Sequence, residues 1–241
     1  MITIDAKNKY YKELNREIAD APDSDVTVEN VCGQRYIGTN ASDKTITVIG
    51  TPGNGLGAYL NGVNLVIKGN AQDATGDTMN AGEIVIHGCV GDACGYGMRD
   101  GKILVKNDAG YRAGIHMKEY NEKIPNIIIG GKTGSFLGEY QAGGRIIVLG
   151  IGYEDVCPVG GFCGTGMHGG EIFIRTKKRP VNLPAQVEIT TASDEDMDSI
   201  KGSVSEFCER FDIKASDILS SHFYKLTPNS SNPYTELYVN Q

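Results

Sequence analysis

Short apolar runs recur with a period of 19 along most of this chain. They start at Ile46, Leu65, Ile84 and Ile103, again at Ile127 and Ile146, and last at Ile172. The steps into Ile127 and Ile172 are 24 and 26, so those two connections carry insertions of 5 and 7. A fixed period is the mark of a repeat architecture: one unit cannot bury its apolar face alone and must stack on its neighbours. With each run's first residue as position 1, position 3 reads Val48, Ile67, Ile86, Val105, Ile129, Val148 and Ile174. β-Branched residues and leucine at alternate sites are strand signals. Position 5 reads Gly50, Gly69, Gly88, Asn107, Gly131 and Gly150. Position 12 reads Gly57, Gly76, Gly95, Gly114, Gly138 and, once the late insertion is counted, Gly164. Gly38 lies one full period before Gly57, so an earlier repeat begins near Thr27. Glycines at fixed places mark corners that need a positive φ or leave no room for a Cβ.

The fold predicted from this register is all-β. It is a single-stranded right-handed parallel β-helix, a solenoid of about eight 19-residue coils stacked ~4.8 Å apart. Two further columns fit an inward face. Leu60, Met79, Met98, Met117 and Met167 each stand three residues after a corner glycine. Methionine fills irregular interiors. The residues just before the corners (Ile37, Leu56, Thr75, Cys94, Ala113, Leu137, Cys163) are small or apolar. Position 2 (Thr47, Val66, Val85, Leu104, Ile128, Ile147, Phe173) then points outward as an apolar stripe. Such a stripe is not left in water; the chain's own ends or another chain must cover it.

The beat is absent at both ends. Three parts are expected: a capping helix at 1–25, the repeats at 26–176, and a connector with helices and an extended strap at 177–241. In DAKNKYYKELNREIAD (5–20), Leu14 and Ile18 with a preceding tyrosine form a helical stripe, with Asp5 as the candidate N-cap and Pro22 as a stop. Ser193-Asp194-Glu195-Asp196 reads as the capped, acidic start of a second helix. A third, short helix is expected at 215–221, and the aromatic tail from His222 as a strap along the repeats.

Composition narrows the function classes. The net charge is −7 with no dense basic block, which disfavours nucleic acid or anionic membrane as a partner. There is no 18-residue apolar run and no secretory pattern at the start, so the expected compartment is the cytoplasm. Cys94 and Cys163 share a column three coils apart, as do Cys32 and Cys89, too far for disulfides. The spacings Cys89-x4-Cys94 and Cys157-x5-Cys163 fit no usual zinc or iron–sulfur pattern. All six cysteines read as buried thiols. The glycines of GNGLG (53–57) imitate a nucleotide fingerprint, but no helix follows them, and corner geometry accounts for them. His116 and His168 lie in no ligand cluster. Asp73 and Asp92 fall one coil apart, either as facing carboxylates for acid catalysis or as solvated side chains. The polar group most open to a binding role is Arg112, His116, Lys118, Glu119, Tyr120, Glu139 and Tyr140, beside the first insertion. Its alternative is an ordinary loop with an ion pair.

The segments CGQRYIGT (32–39), GNGLGAYLNG (53–62), GDACGYGMRDGKILV (91–105), GYRAGIHMKEY (110–120) and GTGMHGGEIFI (164–174) resemble the GXGXG domain of glutamate synthase. The likeness runs nearly the full chain and looks closest to the free-standing form of that domain. A related β-helix, found among the subunits of formylmethanofuran dehydrogenase, is similar too. The resemblance implies a non-catalytic scaffold: no catalytic, cofactor or metal residue carries over to this sequence. The corner glycines Gly38, Gly57, Gly76, Gly95, Gly114, Gly138 and Gly164 carry over as structural determinants. The expected partners are an FMN and iron–sulfur synthase subunit, which would hold the cofactors, and a glutaminase subunit, together making glutamate from glutamine and 2-oxoglutarate. The alternatives are a scaffold in a formylmethanofuran-type complex, or a stand-alone binding or assembly protein.

Overall fold

A computed structural model describes residues 1–39 and 41–230; the end of the expected strap, 231–241, lies outside the described residues. In chain order the elements are β1 (Ile2–Asp5), α1 (Tyr11–Asp20), β2 (Asp25–Cys32), β3 (Thr45–Thr51), β4 (Asn61–Lys68), β5 (Ala81–Ile86) and β6 (Lys102–Val105). Then come β7 (Asn126–Ile129), β8 (Ala142–Val148), β9 (Gly169–Arg175), β10 (Val187–Thr191), α2 (Asp194–Phe211), α3 (Ala215–Leu219) and β11 (Phe223–Pro228). The strands form one 11-stranded sheet in the order β1 to β9, then β11, then β10. It is parallel through β9 and antiparallel at β9–β11 and β11–β10.

This corrects the expected all-β, right-handed single-stranded β-helix. Among the described residues the architecture is one mostly parallel sheet, edged by an antiparallel pair and carrying three helices. Between strands the chain forms turns, and neighbouring turns are joined by single parallel bridges such as Ala71 to Val90, Val90 to Ala109 and Ala109 to Thr133. Isolated bridges of this kind do not make a second ladder.

The position-1 column is one unbroken register: Ile46, Leu65, Ile84, Ile103, Ile127, Ile146 and Ile172 pair in turn. It extends two strands further, through Val26 to Ile2. Val26, not Thr27, therefore holds position 1 of the early repeat. Positions 1 and 3 are buried from Val26 to Ile174, with Met79, Met98, Met117 and Met167 beside them. Gln141 takes the methionine place in one repeat; its Nε2 donates to the Gly143 and Gly144 carbonyls at 3.3 and 3.0 Å.

The N-terminal helix starts later than expected. Ile2 and Ile4 pair with Val26 and Val28, which holds this stretch extended. Asp5 is accordingly no helix cap; its carboxylate accepts from Lys7 N and Asn30, and these bonds hold its pKa low. Leu14 and Ile18 of α1 pack into the core.

The position-2 stripe is covered by the chain itself from β5 onward. Val85, Leu104, Ile128, Ile147 and Phe173 are buried beneath Ile200, Val204, Phe207, Cys208 and Phe211 of α2. Ser193 caps α2 with a reciprocal bond to Asp196. The helix runs down the sheet across the strands, and its polar edge meets them one at a time. Arg210 meets Glu83 on β5, Glu206 meets Lys102 on β6, and Ser203 meets Asn126 on β7. The Ser199 carbonyl meets Arg145 on β8, and Asp196 shares Lys225 with Glu171 on β9. Positions 196, 199, 203, 206 and 210 alternate steps of three and four. A mean step of about 3.5 residues advances about 5.3 Å along a helix, close to the ~4.8 Å between strands.

Candidate functional site

Among the described residues, six repeats turn into their strands through three left-handed residues at alternate positions. Gly55, Gly57 and Tyr59 have φ of 73, 64 and 58°, and Arg112, Gly114 and His116 have 57, 71 and 55°. Phe136, Gly138 and Tyr140 follow at 63, 64 and 53°, and Phe162, Gly164 and Gly166 at 61, 74 and 69°. Only the middle residue is glycine in every repeat, for a second reason. A Cβ on Gly76, Gly95 or Gly114 would stand 2.4 Å from an isoleucine Cδ1 in the core. The two outer positions face away from the core and accept side chains, at about 1–2 kcal/mol of backbone strain each.

In the last repeats those outer positions carry large groups, and they touch. The Phe136 and Phe162 rings stack at 5.1 Å, and the Arg112 guanidinium lies 4.9 Å from the Phe136 ring centre. The His116 and Tyr140 rings stack at 5.1 Å, with Tyr96 edge-on to His116 at 5.7 Å. Arg112 Nε donates to Glu139 at 2.9 Å. The result is an outward-facing aromatic ladder with one internal ion pair; Tyr96 is 41% and Phe162 55% exposed.

Of the residues singled out from sequence, the structure gathers Arg112, His116, Glu139 and Tyr140 into this ladder. Glu119 stands aside and accepts from Gly144 N at 2.9 Å, pinning the start of β8. Lys118 and Tyr120 are exposed, and Tyr120 pairs with Lys123 through the backbone. Sequence reasoning does not single out Tyr96, Phe136 or Phe162. The available signal is their place one or two residues from a corner glycine, where an outward side chain is free to be large.

The other candidates separate. Asp73 Oδ1 accepts from Asp92 N, and Asp92 Oδ1 accepts from Tyr111 N, at 2.9 and 2.8 Å. Each carboxylate thus caps the next repeat's backbone and does not face its neighbour. His168 Nδ1 lies 3.1 Å from the Gly166 carbonyl. The six cysteines are free, but only Cys94, Cys163 and Cys208 are buried, while Cys32 is exposed. Cys32 ends β2, where alternate side chains face outward. Burial pushes the Cys94 thiol up to about 12 and Cys163 in the same direction, so neither is a thiolate near neutrality. Among the described residues no group of three or more His, Cys, Asp or Glu could hold a metal ion, and no helix is long and apolar enough to cross a membrane.

Comparison with known proteins agrees with the repeat. The family model described as GXGXG motif matches residues 7–230. The chain is 45% identical to the uncharacterized protein MJ1350 of Methanocaldococcus jannaschii, over 99% of this chain and 96% of the relative. Its fold is similar to a chain in the crystal structure of the formyltransferase/hydrolase complex of Methylorubrum extorquens with bound methylofuran. The TM-score is 0.68 at 17% identity, covering 94% of this chain and 91% of the other.

Proposed function

The chain belongs to the GXGXG motif family, and on that premise we propose that it is a structural subunit of a multi-subunit complex of the formyltransferase or formylmethanofuran dehydrogenase kind. The observation that carries this reading is the likeness to one chain of such a complex along nearly the whole of both chains. A domain similar end to end to one member of an assembly is suited to act as a member itself. The corner ladder supports the same role: it is an outward strip of aromatic and arginine side chains, the composition enriched at protein interfaces. In this reading the chemistry and its cofactors reside in the partner subunits, and this chain holds them in place.

A glutamate synthase-like assembly is the second reading. The family motif and the segments quoted above favour it, and FMN and iron–sulfur clusters would then reside in the partners. Affinity capture of the tagged chain from its native cells, followed by mass measurement of the intact assembly, tests both. Formyltransferase-type polypeptides support the first reading; a flavin and iron–sulfur protein with a glutaminase supports the second. Recovery of the chain alone, or only with copies of itself, would overturn both.

A further inference from the structure

The aromatic corner ladder keeps large side chains where the two preceding repeats show that small ones suffice. Ala74, Thr78, Ala93 and Gly97 hold the outer corner positions of those repeats with φ of 52 to 56°, while Arg112, His116, Phe136, Tyr140 and Phe162 hold the same backbone with φ of 53 to 63°. Large side chains kept on one outward strip of an otherwise small-residue corner point to a use for them. No interior packing explains them, because they face away from the core.

We infer that this ladder docks an amphipathic α-helix of a partner subunit, laid across the repeats with one apolar side chain per rung. The inference rests on the subunit role proposed above. Three observations select a helix. First, the ring-to-ring step is 5.1 Å in both stacks. A helix offers a side chain every 3 or 4 residues, about 5.3 Å apart, whereas an extended strand offers one on the same side only every ~6.7 Å. Second, the chain already docks a helix in this manner, since α2 meets β5 to β9 at one polar residue per strand. Third, area and charge fit a partner helix better than a second copy. Six side chains of ~200 Å² each, under half exposed on average, present about 500 Å². That suits one helix, and falls short of the ~800 Å² per side of a stable dimer.

The flank of the ladder specifies the partner's polar edge. Arg99 and Lys118, each four residues after a corner glycine, are exposed in a chain of net charge −7. Arg99 Nε donates to the Gly97 carbonyl at 3.1 Å, which lays its guanidinium against the corner. The docked helix therefore carries Asp or Glu along the side facing these two cations.

The test uses the assembly purified from native cells. The photo-crosslinker p-benzoylphenylalanine is placed at Tyr96 in one version and at Phe162 in another. The expected adducts map to another polypeptide, on residues three or four apart in one helix. In parallel, Phe136→Gly with Tyr140→Gly and Phe162→Gly removes three rings and relieves the positive φ. The variant keeps its circular dichroism, and the assembly dissociates at least tenfold more readily on dilution. Adducts to a second copy or to a non-helical segment, or an intact assembly that ignores the triple variant, would overturn this inference while leaving the subunit role standing. A chain that assembles with no other polypeptide overturns both.

Discussion

At Gly114 a Cβ would stand 2.4 Å from Ile146 Cδ1, on a backbone with φ of 71°. At Gly97 φ is 56°, but the nearest atom to such a Cβ is Thr78 Oγ1 at 3.6 Å. The first position needs glycine for conformation and for space, the second for conformation alone. Gly114→Ala is therefore expected to destabilise by about 3 kcal/mol, joining left-handed strain to overpacking. Gly97→Ala should lose only ~1 kcal/mol. Urea unfolding of the two variants checks this; equal losses would refute the division. That the corners require glycine was legible in the sequence, because the constraint repeats at fixed spacing. That Phe136 and Phe162 stack outside the core was not, because a phenylalanine near a corner glycine carries no sign of which way its ring turns. Asp73 and Asp92 show the converse: their spacing left facing carboxylates and solvated side chains open, and only the neighbouring backbone N–H groups reveal them as caps.

The helix α2 is held by apolar burial along one stripe and by ion pairs along its edge, and the two respond to different perturbations. Phe207 is buried, with its ring 4.7 Å from that of Phe211. Phe207→Ala should destabilise by about 3–5 kcal/mol, from lost transfer energy and the cavity left over the sheet, read by chemical unfolding. A loss under ~1 kcal/mol would mean that α2 contributes little to the fold. The edge titrates. Burial by itself would raise the pKa of Glu171 and Asp196, but bonds from Lys225, with Arg145 at Glu171 and Ser193 at Asp196, leave both below their ordinary values of 4.5 and 3.8. Their contribution is complete above those values and is lost as pH falls through the lower folded ones. Burial, then Lys68 and Lys106, depress His87 below its ordinary 6.5, so its contribution also fades in acid, from a higher pH. Lys225, raised by its two carboxylates against burial, loses its contribution as pH rises beyond its ordinary 10.5. Glu83 opposes the acid trend, since burial lifts its pKa against the pull of Arg210. Stability is thus expected to fall below pH 6.5, more steeply below 4.5, and again above about 9, where the thiols of the unfolded chain ionise and the buried Cys94 and Cys163 do not. Lys225→Met should weaken the steep acid limb, because Glu171 and Asp196 lose their shared cation; thermal melts across pH read this, and an unchanged acid limb would contradict the assignment.

The whole molecule is one register carried from strand to strand, and this explains which parts of it could be read in advance. Ile46 through Ile172 announce themselves by period, whereas Ile2 and Val26 belong to the same column at steps of 24 and 20, which hide them. The antiparallel edge was illegible for the same reason: β10 and β11 have no partner at the repeat distance, and α2 lies between them in sequence. The single sheet likewise could not be separated from a closed coil by period alone, because both stack the same residues. The register nevertheless makes a sharp demand on the chain. Side chains alternate between the two faces of a strand, so the repeats tolerate the loss of a whole period but not of part of one. Excising residues 47–65 joins Ile46 to Val66, removes one period, and leaves β5 to β9 beneath α2 untouched. The shortened protein is expected to unfold cooperatively with a urea m-value lower by about 8%, in proportion to the surface lost. Excising residues 47–64 removes only one residue fewer, yet it follows Ile46 with Leu65 and turns every later apolar residue of that strand to the wrong face. That version should lose the cooperative transition and aggregate. Circular dichroism and urea unfolding of the two shortened chains compare them directly; similar folding by both would mean that the inward column does not set the register.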